Sequence, residues 1–260
     1  MKILVTILFA ILLATPIFAQ KKKSNNAISQ KRLTPEAMGY KLFWDDQFNG
    51  HQLDTSKWSV RHIGPVRIGY NSPEAVKVEN GYLKLYALQK GDSILGCAVG
   101  TADHLLTRYG YFECRAQLQE SSGVWAAFWI QSLKIAEGED PSLFGTEIDI
   151  FEYFAAMGDS MTHAIHWAYG PNMHSIGAMN SYLKGLSKGF HTFGLEWTPE
   201  KYSFFIDGYK FHEQTQGISN IDEYMILSME LPAKREDIAK TIFPDVFIVD
   251  WVKVYKKKMP

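Results

Sequence analysis

Residues Gly145 to Phe154 read GTEIDIFEYF, and three of the ten are acids: Glu147, Asp149 and Glu152. On a regular strand side chains alternate between faces, so Glu147, Asp149 and Phe151 share one face while Glu152 points away with Ile148 and Ile150. A β-bulge adds one residue and moves everything beyond it to the opposite face. A bulge near Ile150–Phe151 therefore brings all three acids to one surface, with apolar side chains behind. As structure this crowding is costly, because like charges repel and raise one another's pKa. As chemistry it is useful. A protonated carboxyl beside an ionised one is the pair that glycosidic bond cleavage needs, set about 5–5.5 Å apart for retention or about 6.5–9.5 Å for inversion. With the bulge counted as one lost step, Glu147 and Glu152 stand four strand positions apart, roughly 13 Å at ~3.3 Å each. Their carboxyls meet only across a concave face, so the spacing predicts a curved sheet with a cleft. Two blander readings compete: a solvated strand face, and a Ca²⁺ cluster. Ca²⁺ usually draws 6–8 oxygens from a loop, and a strand face presents fewer.

The elements around this segment are strands. Runs at Tyr82–Ala87, Tyr109–Gln117 and Val246–Lys256 are rich in aromatic and β-branched residues, and Asp207-Gly208 between two further runs is a strong hairpin signal. No long stretch carries a helical stripe; short helical pieces are expected near 222–224 and 234–240. Many short strands without a repeat period imply an all-β sandwich or barrel. The last strand is apolar enough to lie inside a sheet. A single domain over residues 40–258 accounts for the pattern, after a polar leader at 20–39 expected to be flexible.

The first 19 residues have the form of a signal peptide: Lys2, an apolar run from Ile3 to Leu13, and small residues before Gln20. The run is too short for a stable membrane span. Export to the periplasm or beyond is the expectation, with a soluble monomeric product. A net charge of −1 over 260 residues excludes partners chosen by bulk electrostatics, nucleic acid among them, and suits a neutral substrate. Cys97 and Cys114 are the only cysteines. The chain between them reads as a hairpin that sets them opposite one another, which leaves a disulfide or two small buried residues as alternatives.

Several ordered motifs resemble glycoside hydrolase family 16 in its bulged E-x-D-x-x-E form, the laminarinase, agarase and carrageenase type. They are EIDIFE at Glu147–Glu152, LFWDDQFNG at Leu42–Gly50 with Asp54 and Trp58, YGYFECR at Tyr109–Arg115, GVWAAFW at Gly123–Trp129, HTFGLEW at His191–Trp197 and VDWVKVY at Val249–Tyr255. The resemblance implies a concanavalin A-like jelly roll of two curved antiparallel sheets and an endo-acting retaining mechanism. It makes Glu147 the nucleophile, Glu152 the general acid and base, and Asp149 an electrostatic helper, with no cofactor in the chemistry.

Trp125 and Trp129, four apart on a strand, share a face and suit sugar stacking or a sandwich core. Asn71, in a turn before Pro73, matches a family position that bonds a sugar hydroxyl. Of His163, His166 and His174, the resemblance selects His166 as the one near the acid/base; no zinc motif accompanies them. Glu230 faces the cleft from a neighbouring strand, where many glucanases carry an Asn- and Gly-rich stretch instead. Gln47 and Asp250 occupy positions of a structural calcium site, Gln47 standing where relatives often have Glu. The expected partner is a polysaccharide, a β-1,3- or mixed-linkage glucan by default. A β-galactan, a transglycosylase acting through the same intermediate, and a non-catalytic glycan-binding sandwich are the alternatives.

Overall fold

In the computed structural model residues 26–29 and 31–257 are described. The expected signal peptide and residues 20–25 of the leader lie outside them. In chain order the first strands are β1 (Tyr40–Asp46), β2 (Ser59–Val60), β3 (Gly64–Val66), β4 (Gly69–Asn71), β5 (Val76–Glu79) and β6 (Tyr82–Lys90). There follow β7 (Ser93–Gly100), β8 (Gly110–Gln117), β9 (Trp125–Gln131), β10 (Glu147–Tyr153), β11 (Ser160–Trp167) and β12 (His174–Tyr182). The last are β13 (Phe190–Trp197), β14 (Tyr202–Ile206), β15 (Tyr209–Gln214), β16 (Tyr224–Glu230) and β17 (Asp245–Lys257).

These strands form two layers. In one, β17 is interior: β8 pairs along one side, and β6 then β1 along the other, with β13, β14 and β15 continuing beyond β8. In the other the order is β12-β11-β10-β9-β16-β7, with the short β2 and β4 added to β7. β6 joins the layers, since Leu83–Ala87 pair with β17 and Leu88–Lys90 with β7. All pairings are antiparallel except β4 with β7. This is the expected jelly-roll sandwich, its core packed by alternate residues of both layers.

Phe151 shows how the layers meet. It leaves the bulge of β10 pointing inward and packs on Phe193 of β13 at 4.4 Å between ring centroids, with Phe247 of β17 edge-on at 5.9 Å. Truncating such a fully buried ring costs about 3–5 kcal/mol. The Asp207-Gly208 turn has both residues at positive φ, 52° and 77°, as a two-residue hairpin turn requires.

Three expectations are corrected. Cys97 and Cys114 are not hairpin partners: β7 and β8 belong to different layers, because the chain crosses between them through residues 101–109, and both thiols are free and buried. Cys97 donates instead to the carbonyls of Ala75 and Tyr86. The leader is docked where it is described. Ile28 N–H bonds Lys210 O at 2.7 Å, Leu33 N–H bonds Gly208 O at 2.8 Å, and Leu33 and Met38 cover Tyr40, Tyr111, Phe205 and Tyr255. Its apolar residues are few but placed on an aromatic patch, a match that composition does not reveal. Finally, residues 222–224 are not helical; Glu223 pairs with Thr107 and β16 begins at Tyr224. The helical piece at Arg235–Ile238 is present.

Candidate active site

The bulge lies where alternation demanded it. Against β9, Asp149 faces Trp129 and Phe151 faces Phe128, so two steps on β10 match one on its neighbour. Against β11, Asp149 faces Ala164 and Glu152 faces Thr162, three steps to two. Ile148, Ile150 and Phe151 join the core while Glu147, Asp149 and Glu152 line one cleft of ≈ 450 Å³. His163 holds the bulge from behind. Its Nδ1 reaches the Ile150 carbonyl, which can only accept, so Nδ1 carries the proton and Nε2 accepts from Ser181 Oγ at 2.7 Å. Burial drives its pKa down to about 3, consistent with a neutral ring. His163 is thus a buried support, and no zinc reading is needed for it.

The three acids differ in their partners. Glu147 Oε2 accepts from Gln131 Nε2 at 2.8 Å and from the Tyr169 hydroxyl. Burial raises the Glu147 pKa, and both donors, with His166, pull it back toward the ionised form. Asp149 is buried and pushed up to about 6 by desolvation, against the opposing bond from His166 Nε2, which lies 3.3 Å from Oδ2. Glu152 Oε1 accepts from Trp125 Nε1 at 3.0 Å; desolvation, then the Asp149 charge, pushes Glu152 to about 7. His166 is raised, chiefly by its bond to Asp149, and its Nδ1 meets Ser175 Oγ at 2.7 Å.

Glu147, Asp149 and His166 present ligand atoms within 4.8 Å of one another, the spacing of an ion site. Tyr169 and Gln131 already donate to Glu147, and His166 already contacts Asp149, which fits a hydrogen-bonded cluster better than a metal cage.

Residues from distant segments complete the walls. Arg61 lies over Trp129 at 4.9 Å and donates to Gln131 Oε1 at 2.7 Å, an oxygen that also accepts from the Tyr224 hydroxyl at 2.8 Å. Those bonds fix Gln131, whose amide nitrogen is thereby aimed at Glu147. The β3–β4 hairpin brings Arg67 to Glu230 and over Trp125. Trp125, Trp129, Asn71 and Glu230 all line the cleft, and His166 adjoins it through Asp149.

Gln131, Tyr169, Arg61 and Arg67 were not singled out in the sequence. Gln131 was within reach, being next in the alternation Trp125, Ala127, Trp129; the other three come from loops and a small hairpin with no pattern pointing to the cleft. Gln47 and Asp250 already have protein partners. Gln47 Nε2 donates to Asp45 Oδ2 at 2.8 Å, and Arg115 pairs with Asp250. A guanidinium on that carboxylate opposes a cation there, so this pair does not fit a calcium ion.

Comparison with known proteins gives a consistent picture. The family model for glycosyl hydrolases family 16 matches residues 69–242. The chain is 27% identical to glucan endo-1,3-beta-glucosidase A1 of Niallia circulans, with 86% of this chain and 39% of that protein covered. It is also 27% identical to a glucan endo-1,3-beta-glucosidase of Cryptopygus antarcticus, over 67% of this chain and 69% of that one. Among solved structures, a laminarinase from Flavobacterium sp. UMI-01 superposes with a TM-score of 0.70 at 25% identity, covering 83% of this chain and all of that one.

Proposed function

The chain belongs to glycosyl hydrolases family 16, and we propose that it is a retaining endo-β-glycanase acting on a β-1,3- or mixed-linkage glucan. The observation that carries this reading is the bulged strand, which sets three unlike carboxyls on one cleft wall. Glu147 is the nucleophile. Both of its donors land on Oε2, which leaves Oε1 to attack the anomeric carbon. Glu152, held near half-protonated at neutral pH, gives its proton to the leaving oxygen and then takes one from the incoming water. Asp149, between them on the strand and bonded by His166, couples electrostatically to both glutamates.

The glucan assignment is supported by the endo-1,3-beta-glucosidase relatives and by the chain's near-neutral charge. The segment Ile226–Leu231 lacks the Asn- and Gly-rich stretch that many glucanases carry, which favours a second reading in which the backbone is a β-galactan. Export follows from the N-terminal sequence, and among the described residues no helix is long and apolar enough to cross a membrane. A polysaccharide panel with product sizing tests the assignment. Short oligosaccharides from laminarin or mixed-linkage glucan are expected; cleavage of agarose or carrageenan alone moves the galactan reading ahead, and binding without cleavage anywhere contradicts catalysis.

A further inference from the structure

The tryptophan that bonds the acid/base is contacted over its ring by two side chains. Phe154 stacks on Trp125 with centroids 5.4 Å apart and planes 29° apart, and the Arg67 guanidinium lies over the ring at 4.9 Å. The indole edge is also taken, by the bond from Nε1 to Glu152 Oε1 at 3.0 Å. Arg67 is itself held from the far side by Glu230, which faces Trp125 directly across the β9–β16 pair. Arg67 takes a positive φ of 46° at the tip of the two-residue turn between β3 and β4, which aims its side chain down into the cleft. An expensive backbone conformation and two specific contacts converge on one indole.

We propose that Arg67, anchored by Glu230, is a positioning residue for Glu152, clamping Trp125 so that its indole N–H stays on the acid/base and its face is closed to the sugar. The inference rests on Glu152 being the acid/base. It changes the part expected of Trp125, from a stacking platform to a fixed hydrogen-bond donor. A donor locked on the carboxylate favours the ionised form, so it limits how far burial lifts the acid. Glu230 acts in the opposite sense, as a negative charge facing the same carboxyl.

The groups around Glu152 come from every neighbouring element: Asp149 and Glu147 from its own strand, His166 from β11, Glu230 from β16, and Arg67 from the β3–β4 turn. The two halves of the ion pair should therefore move the titration of Glu152 in opposite directions. Arg67→Met frees Trp125 and leaves Glu230 unpaired, so the alkaline limb of kcat/KM moves to higher pH. Glu230→Gln keeps an amide oxygen that can still accept from Arg67 and hold the clamp while it removes the negative charge, so the same limb moves to lower pH. Each shift is expected at about 1 pH unit, the low end of the range for one neighbouring charge at close approach. Trp125→Phe keeps the ring but loses the N–H, and should shift the limb as Arg67→Met does.

The measurement is the pH profile of kcat/KM for the three variants on one soluble β-glucan, beside Glu152→Gln. Unmoved limbs in Arg67→Met and Trp125→Phe, or limbs moving the same way in Arg67→Met and Glu230→Gln, overturn the clamp. So does a rise in KM at an unchanged pH profile, which marks a sugar-contacting part for Arg67 or Trp125. If Glu152→Gln keeps normal activity, it is the acid/base assignment that has failed, and the two failures are told apart.

Discussion

Two regions of this molecule lift a glutamate to nearly the same pKa, and only one of them opens on the proposed active site. Glu152 in the cleft and Glu113 on the outer face of the opposite layer are both pushed to about 7, in each case chiefly by burial. Around Glu113 lie Tyr111 and Tyr255, roofed by the leader residues Leu33 and Met38, and the nearest strong counter-charge is Lys253. Around Glu152 lie three further acids, an indole donor and an open cleft. The raised pKa alone therefore identifies nothing. What marks the proposed catalytic carboxyl is its grouping with other acids along one cleft wall and its access to a substrate-sized space.

The comparison is broken most directly by conservative substitution on each side. Glu147→Gln and Glu152→Gln should each lower kcat by about 10²–10⁴-fold or more on an unactivated polysaccharide, the scale of lost acid–base or nucleophilic assistance. Glu113→Gln, isosteric with the protonated acid, should leave kcat unchanged. A large loss of kcat in Glu113→Gln at intact folding would erase the distinction drawn here.

The next effect concerns the roof over Glu113. A chain beginning at Tyr40 loses the hydrogen bonds of Ile28 and Leu33 and uncovers the aromatic patch. Its Tm should fall by several degrees, since about 1 kcal/mol corresponds to ~2–4 °C in a domain of this size. Turnover per folded molecule should be preserved, because none of the described leader residues lines the cleft. An unchanged melting temperature would return the leader to the flexible segment its composition suggested.

The smallest effect is a slope. Glu113 binds its proton more tightly folded than unfolded, so between pH 4.5 and about 7 the folded state holds more protons and stability falls as pH rises. Glu113→Gln removes that contribution, and thermal melts from pH 4.5 to 7 should show a shallower decline than the parent chain. An identical slope would mean that the Glu113 carboxyl is not shifted as its burial demands.

How far the site could be read in advance follows from the range of the interactions. The bulge was legible because periodicity is local: three acids among apolar residues fit one surface only if one residue is inserted near Ile150. Trp125, Ala127 and Trp129 were legible as one face for the same reason, and Asp207-Gly208 as a turn. The hairpin between Cys97 and Cys114 misled, since two strands adjacent in sequence here enter different layers, and nothing in residues 101–109 announces the crossing. Arg61, Arg67 and Tyr169 reach the cleft through tertiary folding, from segments with no periodic pattern. The leader was unreadable in another way. Its polar composition argues for disorder, and only the aromatic patch beneath Leu33 and Met38 reverses that argument.

The central claim is that Glu147 and Glu152 work as a nucleophile and acid/base pair on opposite sides of one bond. It is tested most directly by proton NMR of the anomeric signals during the first minutes of glucan cleavage, before mutarotation. The geometry predicts new reducing ends appearing first as the β-anomer, with the α-anomer growing only as they equilibrate. An α-anomer appearing first would make the reaction an inversion and contradict the pairing.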